Sequence, residues 1–125
     1  MTAITAWAQL SGVQTHRELA CVIDPDSYHV VLPLAIGESL GIGTPTELAS
    51  LSGRDTHFAV ARVELSGRSA VIVVAVTDTR LPVLGRSVLY ALGLRIDEQT
   101  LALVPQTPFV PALMLPFRVT AVAAR

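Results

Sequence analysis

Asp24 and Asp26 stand on either side of Pro25, directly after the apolar run 19–23 (LACVI). Paired carboxylates can move protons as general acid and base. The same residues also suit a plain turn that closes a strand, because Asp-Pro and Asp-Ser steps initiate turns. Three histidines, His16, His29 and His57, are scattered along the chain. They lack the helical spacing of a histidine metal site. No glycine-flanked nucleophile elbow supports a Ser-His-Asp arrangement either. Cys21 is the only cysteine and sits within the apolar run, so it reads as buried packing, not as a nucleophile. A single cysteine forms no internal disulfide and no cysteine metal cluster.

The elements that must hold these residues are mostly strands. Val, Ile and Thr are frequent, and Gly and Pro punctuate short runs. Strands are expected at 3–10, 19–23 and 30–32, the last stopped by Pro33. A short helix follows over 34–40, with Gly41 as its stop. In 57–65 (HFAVARVEL), Phe58, Val60, Arg62 and Glu64 alternate with Ala59, Ala61, Val63 and Leu65, the pattern of a half-buried strand. Ser66 and Gly67 turn the chain into 69–77, which is apolar on both faces and therefore central. A second hairpin turn is expected at 52–55, between a strand at 46–51 and the strand at 56–65. The stretch 81–85 is short and apolar, 86–92 is a second short helix closed by Gly93, and 94–104 is a last hairpin. Beyond Pro105 prolines recur, and 117–122 (FRVTAV) could form one more strand. The chain also echoes itself. An apolar strand, a loop, a short helix and a glycine occur once over 21–42 and again over 81–94.

Two segments together resemble the retropepsin-like aspartic peptidases and their bacterial relatives. In 20–41 (ACVIDPDSYHVVLPLAIGESLG), Asp24 falls on the family's aspartate, Val31, Leu32 and Pro33 on its apolar-Pro step, and Leu40 and Gly41 on its helix end. In 83–104, Val83, Leu84, Gly85, Arg86, Leu89, Leu92, Gly93 and Leu94 fit the family's Leu-Leu-Gly-Arg segment and the helix after it. The resemblance spans about residues 3–104 and leaves 105–125 as a C-terminal extension. It implies an all-β fold: a small closed acid-protease β-barrel with one or two short helices, and a flap hairpin around 46–65. Asp24 would be catalytic. Asp26, Ser27, Tyr28 and Leu84 would line the substrate cleft. Pro25, Gly85 and Arg86 would belong to the structural loops of the site. Arg86 would either pair with an acid near the first loop or simply start its helix. The family needs no metal or organic cofactor.

The motif departs from the family at two positions. Pro25 replaces a threonine whose hydroxyl braces the two subunits' loops, and it offers neither a hydroxyl nor a backbone N–H. Asp26 replaces a glycine that lets substrate backbone approach closely. The resemblance thus leaves two functions in view: a peptidase, and a pseudo-peptidase that keeps the fold and binds peptides or scaffolds a partner. An unrelated small β-barrel interaction domain is a third.

Composition bounds the partners. The 125 residues suffice for one domain. Hydrophobic residues make up 51% of the chain and mean hydropathy is +0.56, more apolar surface than a domain of this size hides alone. A covering subunit is therefore expected. The resemblance makes it a second copy of the chain, because an aspartic peptidase needs two aspartates and each chain supplies one. Trp7 reads as core or interface, and 117–122 as an intersubunit strand or a cover for its own sheet edge. The net charge is -1 and all basic residues are arginines, without a basic stripe, so no nucleic-acid partner is expected. The longest apolar run, 70–76, is far short of the roughly 18 to 20 residues of a membrane span. The start of the chain carries no basic side chain and no long apolar core. With one unpaired cysteine, a cytoplasmic, reducing setting is expected.

Overall fold

The computed structural model describes residues 4–13, 15–51 and 55–106. The chain divides into two compact units, Met1–Leu92 and Gly93–Arg125. The first holds strands β1 (Ile4–Ser11), β2 (His16–Ile23), β3 (Val30–Pro33), β4 (His57–Leu65), β5 (Arg68–Thr77) and β6 (Val83–Leu84). It also holds helices α1 (Leu34–Ser39), α2 (Pro45–Ala49) and α3 (Arg86–Leu92). The second unit holds a hairpin of β7 (Leu94–Asp97) and β8 (Ala102–Pro105).

The six strands of the first unit close into a barrel in the order β1-β2-β6-β3-β5-β4, with β1 and β4 joined antiparallel. Closure follows from the alternation in each strand. Ala61, Val63 and Leu65 of β4 point inward while Phe58, Val60, Arg62 and Glu64 point out, as the sequence pattern requires. Leu10, Val30, Leu32, Val74, Val76 and Leu84 are fully buried in the resulting core. β5 is central, paired antiparallel with β4 and parallel with β3. Ser66 and Gly67, both at positive φ, form the tight turn between β4 and β5. Both expected helix stops take the left-handed conformation, Gly41 at φ 71° and Gly93 at φ 65°.

One element differs from expectation. Residues 45–49 form α2, so no strand forms at 46–51 and the flap hairpin expected over 46–65 does not appear in that form. The helix count rises to three among the described residues. The reason is local. Thr44 caps the helix, its hydroxyl accepting the Glu47 N–H at 3.0 Å, and Pro45 sits at the first helical position, where it costs no hydrogen bond. Thr44→Ala should lower stability by about 1 kcal/mol in urea titration, while Thr44→Ser should lie near the parent. The turn expected at 52–55 falls largely outside the described residues, as does the strand at 117–122.

Trp7 is not a core residue. It lies on the outer face of β1 and is 70% exposed. Cys21 is fully buried in β2, and burial pushes its thiol up to about 11 from an ordinary 9.0. Iodoacetamide near pH 8 should therefore leave native Cys21 unlabelled and alkylate it rapidly in urea. The folded state favours the neutral thiol. That preference is intact below pH 9 and is lost as pH rises through about 11, so stability should decline in that window.

In the second unit, Asp97 closes the β7–β8 turn by accepting the Gln99 N–H at 2.9 Å and the Thr100 N–H at 3.4 Å. These bonds hold its carboxyl below the usual range.

Candidate active site

Asp24 follows β2 directly and opens the loop that leads to β3. Its backbone is tied to the neighbouring strand, for β2 runs parallel to β6 and the Asp24 N–H donates to the Leu84 carbonyl at 3.0 Å. Its side chain is fixed as well, because Asp24 Oδ1 accepts the Asp26 N–H at 3.0 Å. The Ser27 N–H closes the turn onto the Asp24 carbonyl at 3.1 Å. Pro25 between them gives no N–H to this network and needs none. Asp24 is half-buried, and Pro25 and Asp26 are exposed beside it.

A second loop supports the first from below. The Arg86 N–H donates to the Ser27 carbonyl at 2.8 Å and the Ser87 N–H to the Tyr28 carbonyl at 2.9 Å. Gly85 makes this stacking possible. A Cβ on it would lie 2.5 Å from the His29 carbonyl oxygen and 2.6 Å from those of Ser27 and Tyr28. Only a residue without a side chain lets the two backbones approach so closely. Arg86 starts α3, and its guanidinium lies 5.9 Å over the Tyr28 ring, a cation–π contact. Leu84 is fully buried, so what it presents to the loop is its carbonyl.

The remaining loop residues face different ways. The Ser27 hydroxyl donates to the His29 carbonyl at 3.3 Å. Tyr28 is 53% exposed and meets His29 edge-on at 5.1 Å, and His29 in turn meets Phe58 of β4 at 5.3 Å. The Nδ1 of His29 and the Oγ of Ser87 are buried without a hydrogen-bond partner. No local pattern in the sequence assigns His29 or Phe58 to this loop. The alternation of 57–65 places Phe58 outward, but nothing local ties it to the residues after Asp24. His16 and His57 are elsewhere, and His57 Nε2 lies 3.9 Å from Glu47. Among the described residues no three His, Cys, Asp or Glu side chains gather as a metal site requires. No helix among them is long and apolar enough to cross a membrane.

What the arrangement offers chemically is one carboxylate, held in a fixed orientation at a solvent-reachable loop. No protein-family profile and no curated protein matches the chain. Solved structures do match. The EIAV protease complexed with the inhibitor HBY-793 is 20% identical, with a TM-score of 0.58 over 77% of this chain and 93% of that one. The retroviral protease-like domain of Ddi1 from Leishmania major is 13% identical, with a TM-score of 0.59 over 89% of this chain and 94% of that one. At such identities the likeness is one of fold, and the chain is an all-β protein with the retropepsin-like fold.

Proposed function

We propose that this chain is an aspartic peptidase domain that hydrolyses peptide bonds as a homodimer, with Asp24 of each protomer at the two-fold axis. The observation that carries this reading is the presentation of Asp24: its backbone is tied to β6 and its Oδ1 to the Asp26 N–H. One carboxylate of the pair takes a proton from water, and the resulting hydroxyl adds to the peptide carbonyl carbon. The other gives its proton to the carbonyl oxygen. Protonation of the amide nitrogen then releases the amine as the C–N bond breaks. Two like charges held side by side cannot both persist, so the pair shares a proton. Asp26, Ser27 and Tyr28 line the cleft, and Gly85 and Arg86 support its floor. The substrate is an extended peptide or an unfolded protein. The buried, unpaired Cys21 suits a reducing, cytoplasmic setting.

A second reading has its own observation. Pro25 provides no hydroxyl with which one protomer could brace the other, and Asp26 adds an exposed carboxylate beside Asp24. Both favour a homodimeric pseudo-peptidase that binds peptides without cutting them. Sedimentation velocity together with incubation on an unfolded protein, from about pH 4 to 7, separates the readings. Cleavage by a dimer supports the peptidase. A well-folded dimer that cleaves nothing supports the pseudo-peptidase, and a strict monomer sinks both.

A further inference from the structure

The loop after Asp24 is held from one direction by backbone bonds. The Arg86 and Ser87 N–H groups donate to the Ser27 and Tyr28 carbonyls, and the Asp24 N–H donates to Leu84. All three bonds run to the segment 84–87, and none of them reaches β4. A row of side chains does. The Arg86 guanidinium lies 5.9 Å over the Tyr28 ring. Tyr28 meets His29 at 5.1 Å with an interplanar angle of 85°, and His29 meets Phe58 of β4 at 5.3 Å and 61°. Both ring pairs are edge-to-face, at a separation where aromatic rings attract beyond the area they bury.

The place of Phe58 in the sheet makes this contact a link between distant strands. Ala75 of β5 stands in register between Val31 of β3 and Phe58 of β4. By alternation Ala75 faces the same side as Val71 and Val73, which are 58% and 47% exposed, yet Ala75 itself is buried. The outer side of the sheet is thus covered at the row that carries Phe58 and open two residues away. His29 meets Phe58 at this covered row although its Nδ1 is buried there without a hydrogen-bond partner. Phenylalanine would offer the same ring without that unfavourable atom, which makes His29→Phe the informative variant.

We propose that His29 and Phe58 are positioning residues for Asp24. Their ring contact braces the Asp24 loop against β4, and the brace keeps the Asp24 carboxylate in the orientation that the Asp26 N–H sets. The inference rests on the reading of Asp24 as the reacting carboxylate. Phe58 acts on His29, and His29 acts through Tyr28 and the main chain of the loop. A loop that swings leaves Asp24 aimed at the reacting atoms for less of the time, so turnover falls while substrate affinity holds.

The test has one readout that needs no turnover. Amide hydrogen exchange is followed by NMR on the whole chain. His29→Ala and Phe58→Ala should each speed exchange of the Asp26 and Ser87 N–H groups about tenfold, with Val63 N–H in the core of β4 unaffected. Phe58 is more than half exposed, so Phe58→Ala carries the test even if His29→Ala does not fold. His29→Phe and Phe58→Tyr keep a ring at each position and should stay within about twofold of the parent. The double alanine variant should exceed either single one by no more than about twofold, because the two residues make one contact. Val60→Ala removes an equally exposed side chain of β4 that lies outside the row, and should change nothing. In the active enzyme, His29→Ala should lower kcat about tenfold with KM within about twofold, and His29→Phe should restore kcat. Alanine variants that exchange like the parent would overturn the brace, and so would a His29→Phe that exchanges like His29→Ala. The expected exchange pattern in a chain that cleaves nothing would keep the brace and remove the peptidase. Cleavage with exchange unchanged by the alanine variants would do the reverse.

Discussion

Asp24→Asn should lower peptide-bond cleavage by at least about a thousandfold while the fold stays intact. Asparagine has the same shape, and its Oδ1 can still accept the Asp26 N–H that orients Asp24. What it lacks is the ability to take a proton from water or to give one to the carbonyl oxygen. Thermal unfolding should therefore change little while turnover disappears. A mixing experiment sharpens the result. If each active centre draws one aspartate from each of two protomers, an equal mixture of freely exchanging wild-type and Asp24→Asn chains leaves about a quarter of the dimers intact. Activity should fall to that fraction, not to half. A fall to half would place a complete centre within one chain and end the dimer reading. Asp26→Asn is the companion variant. Asp26 is exposed, and it is its backbone N–H, not its side chain, that holds Asp24, so cleavage should survive the change.

Gly85→Ala should be strongly destabilising. The added methyl would meet three backbone oxygens, those of Ser27, Tyr28 and His29, at 2.5 to 2.6 Å. A flexible side chain could swing aside, but these carbonyls cannot. Two of them accept the Arg86 and Ser87 N–H groups, and moving them would break those bonds. The cost should be about 3 kcal/mol or more, read as a fall in Tm on the order of 10 °C or greater. Gly41→Ala is the contrast, since a Cβ there meets nothing within 4 Å. Its positive φ alone should cost only about 1 kcal/mol. A Gly85→Ala protein as stable as Gly41→Ala would mean that the two loops do not stack as described. The same variant should also blunt any activity at Asp24, whose N–H rests on the Leu84 carbonyl one residue away.

Where the sequence was legible, the reason is local. Burial on one side of a strand forces alternation, so 57–65 could be read as a half-buried strand and its outward residues named. Helix ends need a left-handed residue, so Gly41 and Gly93 marked the ends of their helices. A turn-prone cluster after an apolar strand placed Asp24 at the head of a loop. The flap expected over 46–65 is absent in that form for an equally local reason. Thr44, Pro45 and Glu47 carry a helix-start signal that outweighs the polar-apolar mix after them.

The assembly of the site lay beyond any local pattern. Residues 24–29 and 84–87 are far apart in the chain, and only the parallel pairing of β2 with β6 brings them together. That pairing is decided by which strands share the core, a property of the whole barrel. The tertiary structure alone set Gly85 beneath three carbonyls, Arg86 over Tyr28, and Phe58 against His29. The sequence by itself determined the barrel's strands, its core and the residue at the head of the loop. Backbone contacts between distant segments, which no periodicity encodes, decided what surrounds that residue.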